Sequence, residues 1–414
     1  MYKILIISEL EDYKNTPHFH FSFSKGFEFG KGLAKIAENK VYYYTLGKSE
    51  MCDNVNLINE KEIDDEFKKD LNMIIFVRES NVFQVINLPF MASIKKNKGN
   101  IKIFIKSDSI NWLNDKSYVK SFGNRKNLFH FVYDFFDGIC VQTEEMKKFG
   151  LNYISEMFNQ KYSNFISKKI VISRMGIPNK NPLINEIENP YCIYHTYCVN
   201  RGVVNNKALI PLVINKNFNK KKTIIIYTGR IKTERGKVLF IMRDIMKNLG
   251  DDYELHIFPG RFCIPDTHQD IYSPKNSNHL ELLREKIFKE STNVIIHHPF
   301  DDNNKIKYLQ HAEIAIDFSP SRPKNEKYIV GNAKLLDYTY HGLKVVCEKN
   351  IGNSYLIEQS KNGILLEGIA TVDNYVNAIK NIKGINIDKD FAIKTIIKNH
   401  NWELIAKEFF EKYK

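Results

Sequence analysis

Short apolar runs alternate with stretches of helical spacing along most of this chain. Lys3–Ser8, Val41–Leu46, Met73–Val77, Ile101–Ile105, Gly138–Val141 and Ile170–Ser173 are compact and apolar, the pattern of strands buried on both faces. Between them, Gly26–Glu38 brings Phe27, Phe29, Leu33, Ala34 and Ile36 to one helical face. Thr143 is placed to cap a helix opening at Glu144-Glu145. The pattern breaks over residues 179–222, which are rich in Asn, Lys and Pro. It resumes with strands predicted at Ile224–Thr228, Glu254–Phe258, Val294–His297, Ile314–Phe318 and Leu343–Val346. Helices are predicted at Lys237–Leu249, Leu280–Glu290, Asn304–His311 and Phe391–Tyr413. Such alternation predicts an α/β chain with two open, mainly parallel sheets. The expected division is 1–178, a linker or insertion at 179–222, 223–390, and a C-terminal helix at 391–414. Two such sheets place a ligand crevice at the strand C-termini, between the domains.

One stretch, Tyr328–Glu348, carries more chemistry than its neighbours. Asn332 is a plausible N-cap, Leu335, Leu336 and Tyr340 follow at helical spacing, and Gly342 ends the helix before an apolar strand. Lys334 and Asp337 lie three apart and face the same side. A helix opening with free N–H groups, a lysine and a carboxylate suits a nucleotide diphosphate. An ordinary solvated helix fits the same residues, so this stretch alone decides nothing.

Composition narrows the class. The 414 residues exceed one ordinary core, and 43% hydrophobic with 26% charged residues is the balance of a globular protein. No run approaches the ~18 apolar residues that span a bilayer. Glu9, Glu11 and Asp12 directly follow the first apolar run, which fits a first strand better than a secretory leader. The six cysteines form no CxxC pair, so buried free thiols in a reducing cytosol are expected. The net charge is +13, and residues 201–250 hold twelve basic residues against two acidic ones. One local surplus fits an anionic ligand site and a solvated linker better than a duplex-binding face.

No GxGxxG follows the first strand, so a nicotinamide-binding reading lacks its main signal. The second half instead resembles the donor-binding half of GT-B glycosyltransferases, specifically the retaining glycosyltransferase family 4. Ile224–Lys237 resembles the family's strand followed by Gly-Arg, four residues and Lys-Gly, here Gly229-Arg230 and Arg235-Gly236. Lys307–Ser321 is similar to its helix and strand ending in a Pro-Ser turn. Asn332–Tyr338 resembles its Asn-Pro-x-Lys-Leu-x-Glu-Tyr pattern, with Asp337 for glutamate and Gly342 matching a later glycine. Coverage is good over residues 223–366 and weaker over 1–178, where only Ile170–Pro178 is similar. Ile329 stands where many members have a second glutamate, and the nearest acid is Glu326.

The resemblance implies two Rossmann-like domains facing each other across a cleft, with the C-terminal helix returning to the N-terminal domain. It implies a nucleotide-diphosphate sugar, UDP- or GDP-linked, as donor substrate; no His, Cys, Asp or Glu cluster has metal-ligand spacing, so catalysis without a metal or other cofactor is expected. Arg230 and Arg235 would converge on the diphosphate, where fixed cations stabilise the leaving group's growing charge. Gly229, Lys237, Asn332, Lys334, Leu335 and Asp337 are the further donor-site candidates, Asp337 as acceptor for ribose hydroxyls. Pro299 and Phe300 end a strand at the crevice, where they would edge the base pocket. Asp108 follows the Ile101–Ile105 strand and is a candidate to hold the transferred sugar or act as general base, with a helix cap as its plain alternative. His18 and His20 are acceptor-side candidates on the loop after the first strand.

The expected activity is hexosyl transfer to a glycan or lipid-linked glycan, as in polysaccharide biosynthesis, in the cytoplasm. The surplus lysines are compatible with peripheral contact at an anionic membrane surface. Competing readings are a DNA-modifying glycosyltransferase, an epimerase or phosphorylase on the same architecture, and a non-catalytic sugar-binding scaffold.

Overall fold

A computed structural model shows the chain as two units, each built on its own sheet. It describes residues 1–8, 21–45, 49–77, 82–83, 85–107, 110–114, 116–177, 221–231, 236–262, 288, 290–296, 309–318, 333–368 and 370–414. The first unit draws on Met1–Asn179 and Asn399–Lys414, the second on Lys180–Tyr328 and Asn332–Lys398.

The first sheet has strands β1 (Tyr2–Ile7), β2 (Asn39–Thr45), β3 (Glu50–Cys52) and β4 (Val55–Asn59). It continues with β5 (Leu71–Phe76), β6 (Lys102–Lys106), β7 (Gly138–Val141) and β8 (Ile170–Ile172). Their order is β3-β4-β2-β1-β5-β6-β7-β8, parallel except for β3 against β4. Ile4–Ile7 and Met73–Phe76 are fully buried, as strands covered by helices on both faces must be. The helices are α1 (Phe21–Ala34), α2 (Asp65–Lys69), α3 (Pro89–Lys96), α4 (Lys116–Ser121), α5 (Arg125–Phe135), α6 (Glu144–Met157) and α7 (Gln160–Ser167). Thr143 caps α6, its hydroxyl accepting from the Met146 N–H at 3.2 Å. Helix α1 starts and stops earlier than its apolar spacing suggested. The Asn39 amide donates to the Leu33 carbonyl at 3.1 Å, taking a C-terminal acceptor and turning the chain into β2. The β3–β4 hairpin escaped the sequence reading; Asp53 and Asn54 turn it with φ of 49° and 66°, the left-handed pair of a two-residue hairpin loop.

The second sheet has β9 (Thr223–Ile231), β10 (Tyr253–Phe262), β11 (Val294–Ile296), β12 (Ile314–Asp317), β13 (Lys344–Glu348) and β14 (Gly363–Leu366). All described pairings are parallel, in the order β11-β10-β9-β12-β13-β14. That is the 3-2-1-4-5-6 order of a nucleotide-binding doubly wound sheet, and its winding reverses between β9 and β12. Helices α8 (Gly236–Leu249), α9 (Ala333–Tyr340), α10 (Ile351–Ser360) and α11 (Val372–Gly384) accompany it. α8 and α11 close one face over Ile225, Tyr227, Ile314, Ile316 and Val346. The helix predicted at Leu280–Glu290 and most of that at Asn304–His311 lie outside the described residues.

The single C-terminal helix expected at Phe391–Tyr413 is two helices, α12 (Lys389–His400) and α13 (Trp402–Tyr413). Asn401 breaks it, with an extended backbone (φ −74°, ψ 142°) and a side chain that accepts from the Leu404 N–H at 2.7 Å. The extended residue also bridges to Ile177: Ile177 N–H donates to His400 O at 2.7 Å, and Trp402 N–H to Ile177 O at 3.0 Å. α13 then packs on α1 and β1 through Phe29, Trp402, Phe409, Tyr2 and Phe410. α13 therefore belongs to the first unit, as expected of the C-terminal helix, whereas α12 up to Lys398 belongs to the second. No described helix is long and apolar enough to cross a membrane.

His400 makes this junction pH-sensitive. Burial pushes its imidazole down to about 4, although the Met175 carbonyl, 3.0 Å from Nδ1, favours the charged form. The unfolded chain binds the proton near pH ~6.5 and the folded chain does not, so stability is complete above that pH and lost on acidification. About 3 kcal/mol should disappear between pH 7 and pH 4. Denaturant titrations across that range should give a flatter stability profile for His400→Gln than for wild type, by roughly this amount; parallel profiles would refute the assignment.

Candidate active site

The switch point of the second sheet lies at the C-terminal ends of β9 and β12. β9 runs to Ile231, past its predicted end, because β10 extends with it and pairs Pro259 with Gly229 and Phe262 with Ile231. Gly229 and Arg230 are therefore strand residues following the buried Thr228. β12 ends on Asp317, a carboxylate with no exposed surface in an otherwise apolar strand.

Helix α9 connects β12 to β13 and sits over this end of the sheet. Its stop at Gly342 is as predicted: Gly342 has φ +70°, with Gly342 N–H donating to Thr339 O and Leu343 N–H to Tyr338 O, both at 3.0 Å. This is the paired closure that satisfies the last helix carbonyls, and it needs a left-handed residue at 342. At the helix opening, Lys334 is ion-paired with Asp317, and its ammonium lies 4.6 Å over the Tyr227 ring. Tyr338, one turn on, accepts from the Thr228 N–H at 2.7 Å and the Thr228 hydroxyl at 3.1 Å. Burial holds the Tyr338 phenol well above its usual range, with Asp317 adding to the shift against the two Thr228 bonds. The phenol therefore keeps its proton at neutral pH while its oxygen accepts the two Thr228 bonds. Burial also raises the Cys347 thiol, Asp317 and Glu348 contributing, so this cysteine is inert at neutral pH. The Tyr375 hydroxyl donates to the Asp317 carbonyl at 2.9 Å.

Of the residues singled out from sequence, Lys334 and Asp337 share this helix, Lys334 mostly buried and Asp337 half-buried. The Asp337 carbonyl accepts from His341, through N–H at 3.0 Å and Nδ1 at 2.8 Å. Leu335 is fully buried in the core, so only its backbone N–H, in the first helical turn, faces a possible ligand role. Gly229 and Arg230 belong to β9, and Lys237 to the first turn of α8. His18, His20, Asp108, Arg235, Pro299, Phe300 and Asn332 lie outside the described residues. Sequence reading missed Asp317, Thr228, Tyr338 and Tyr375 as site-building residues. The signal available for Asp317 was an acid closing an apolar strand. Among the described residues, no group of three or more His, Cys, Asp or Glu could hold a metal ion.

No protein-family model matches the sequence, and no curated protein matches it either. Solved structures match over the whole chain. A glycosyltransferase from Rickettsia africae is 14% identical, with a TM-score of 0.58 covering 100% of this chain and 97% of that one. Anabaena HepE, solved in complex with UDP and glucose, is 10% identical, with a TM-score of 0.60 and coverage of 100% and 99%. Trehalose-6-phosphate synthase, studied for glycosyltransfer with retention, is 11% identical, with a TM-score of 0.62 and the same coverage, 100% and 99%. These neighbours are GT-B glycosyltransferases, and at such identities what the chain shares with them is the fold, two Rossmann-like domains in one chain.

Proposed function

We propose that this chain is a nucleotide-sugar-dependent glycosyltransferase. It would move a hexose from a UDP- or GDP-sugar to a glycan or lipid-linked glycan, with retention at the sugar carbon. The observation that supports this reading is the switch point of the second sheet, where the helix carrying Lys334 and Asp337 is tied to Asp317 at the end of β12 and to Thr228, the residue before Gly229 and Arg230. The neighbour solved with UDP and glucose supports a nucleotide-sugar donor, and the neighbour studied for retention supports that outcome.

In this reading the donor lies on the second unit. Arg230, Arg235 and Lys334 neutralise the diphosphate as the glycosidic bond breaks and negative charge grows on the leaving phosphate. Asp337 accepts hydrogen bonds from the ribose hydroxyls, and the first N–H groups of α9, including that of Leu335, face the phosphates. On the sequence pattern, Asn332 is the proposed cap of the helix, Gly229 the proposed point of diphosphate approach, Lys237 an added charge at α8, and Pro299 with Phe300 the proposed edge of the base pocket. The acceptor side is assigned to the first unit, with Asp108 beside the transferred sugar and His18 and His20 on the acceptor. The proposed setting is the cytoplasmic face of a membrane, touched peripherally through the surplus lysines.

Donor hydrolysis without acceptor tests the activity itself. Incubation with each of several nucleotide sugars should release sugar and nucleoside diphosphate slowly from one of them. Release from none would favour a non-catalytic sugar-binding protein on this fold.

A further inference from the structure

Ligands of open α/β sheets bind between the two strands that flank the switch point, here β9 and β12. Helix α9 is tied to each of them by a different side chain. From β9, Thr228 gives both its N–H (2.7 Å) and its hydroxyl (3.1 Å) to the Tyr338 oxygen. From β12, the Asp317 carboxylate holds the Lys334 ammonium. Lys334 and Tyr338 are four residues apart, on one helix face, and Asp337 lies within the turn they bracket. The supports are themselves held. Tyr375 bonds the Asp317 carbonyl at 2.9 Å, and the Asn362 amide donates to the Thr339 hydroxyl (3.1 Å) and the Leu343 carbonyl (2.9 Å) at the far end of the helix.

These ties are a poor way to gain stability alone. Asp317 has 0% side-chain exposure and Lys334 14%, so desolvation of both charges offsets much of their attraction. An apolar pair would fill the same space. An ion pair and a two-donor hydrogen bond do supply something an apolar contact lacks, which is direction: each fixes where the helix opening stands relative to one strand. A preformed opening spares the ligand the cost of ordering it on binding.

We infer that Asp317 and Tyr338 are positioning residues for donor binding, locking the opening of α9 against both strands of the switch point. Lys334 and Asp337 are thereby presented to the nucleoside diphosphate in one arrangement. This rests on the donor-site reading above.

Calorimetric titration of the full chain with UDP, GDP, ADP and dTDP tests it. For the diphosphate that wild type binds, folded Asp317→Asn and Tyr338→Phe should each bind about tenfold or more weakly. Asp317→Glu, which keeps the charge, should recover most of the loss, a rescue that a purely structural role in the folded protein would not require. Melting temperatures without ligand verify folding in parallel. Asp317→Asn strands a buried ammonium; if that variant does not fold, Tyr338→Phe, which keeps the ring in place, decides. Folded variants within twofold of wild type, beside an Asp337→Ala variant that has lost binding, would overturn the inference and leave the donor reading standing. A wild-type chain that binds none of the four diphosphates would overturn both.

Discussion

Arg230→Ala is expected to lower kcat/KM for the nucleotide sugar about 10³-fold, with the fold unchanged. The size follows from where charge develops. The second phosphate of the leaving diphosphate gains charge as the bond to the sugar breaks, so a fixed guanidinium contributes more to the transition state than to the bound donor. Arg230 follows Gly229 in β9 and is flanked by the pairs Gly229–Pro259 and Ile231–Phe262, between which the register with β10 shifts. Its backbone is therefore held by the sheet, and truncating the side chain removes the charge without removing the strand. Steady-state kinetics with the purified variant and a circular-dichroism melt settle the matter. A loss of less than tenfold would move the diphosphate elsewhere.

Trp402→Ala should destabilise the first unit by about 3–5 kcal/mol, the usual cost of deleting a large buried aromatic. Trp402 is buried and makes edge contact with Phe29 of α1, with ring centroids 6.3 Å apart. Its indole lies flat against Gly176, where an added Cβ would come within 2.3 Å of the ring. The Lys106 ammonium stands 5.9 Å above the same ring, held by the Ser173 and Arg174 carbonyls at 3.3 and 3.2 Å. Removing the indole opens a cavity among groups fixed by other bonds, which cannot collapse into it. Urea denaturation followed by far-ultraviolet circular dichroism gives the number. A change below 1 kcal/mol would mean that α13 is not a structural part of this unit.

Much of the fold was readable because its central strands are buried on both faces. Gly138–Val141 is an unbroken apolar run, and its predicted and observed bounds coincide. Gly342 was readable for a different reason, since a helix of this spacing that meets a glycine before an apolar strand has few other ways to end. The break at Asn401 was not seen because apolar spacing continues through it. What interrupts the helix is a bridge to Ile177, more than 200 residues away. The site divides similarly. That Lys334 and Asp337 share one helix was legible because their spacing is local. The Asp317–Lys334 pair was not, since it depends on the end of β12 and the start of α9 meeting, and strand order fixes that. The Tyr338–Thr228 bond spans 110 residues and has the same cause. For residues such as Arg235 and Asn332, the expectation still stands on sequence alone.

The central claim is that the second unit binds a nucleotide-diphosphate sugar at its switch point. The most direct measurement is the melting temperature of the full chain titrated with UDP-, GDP-, ADP- and dTDP-sugars. A ligand that binds only the folded chain adds about 2.7 kcal/mol at a hundred times its Kd. One nucleotide class should therefore raise the melting temperature in a saturable way, and Asp337→Ala should abolish the rise. If no nucleotide sugar shifts the transition at millimolar concentration, or if Asp337→Ala responds as wild type does, the assignment of this site is wrong.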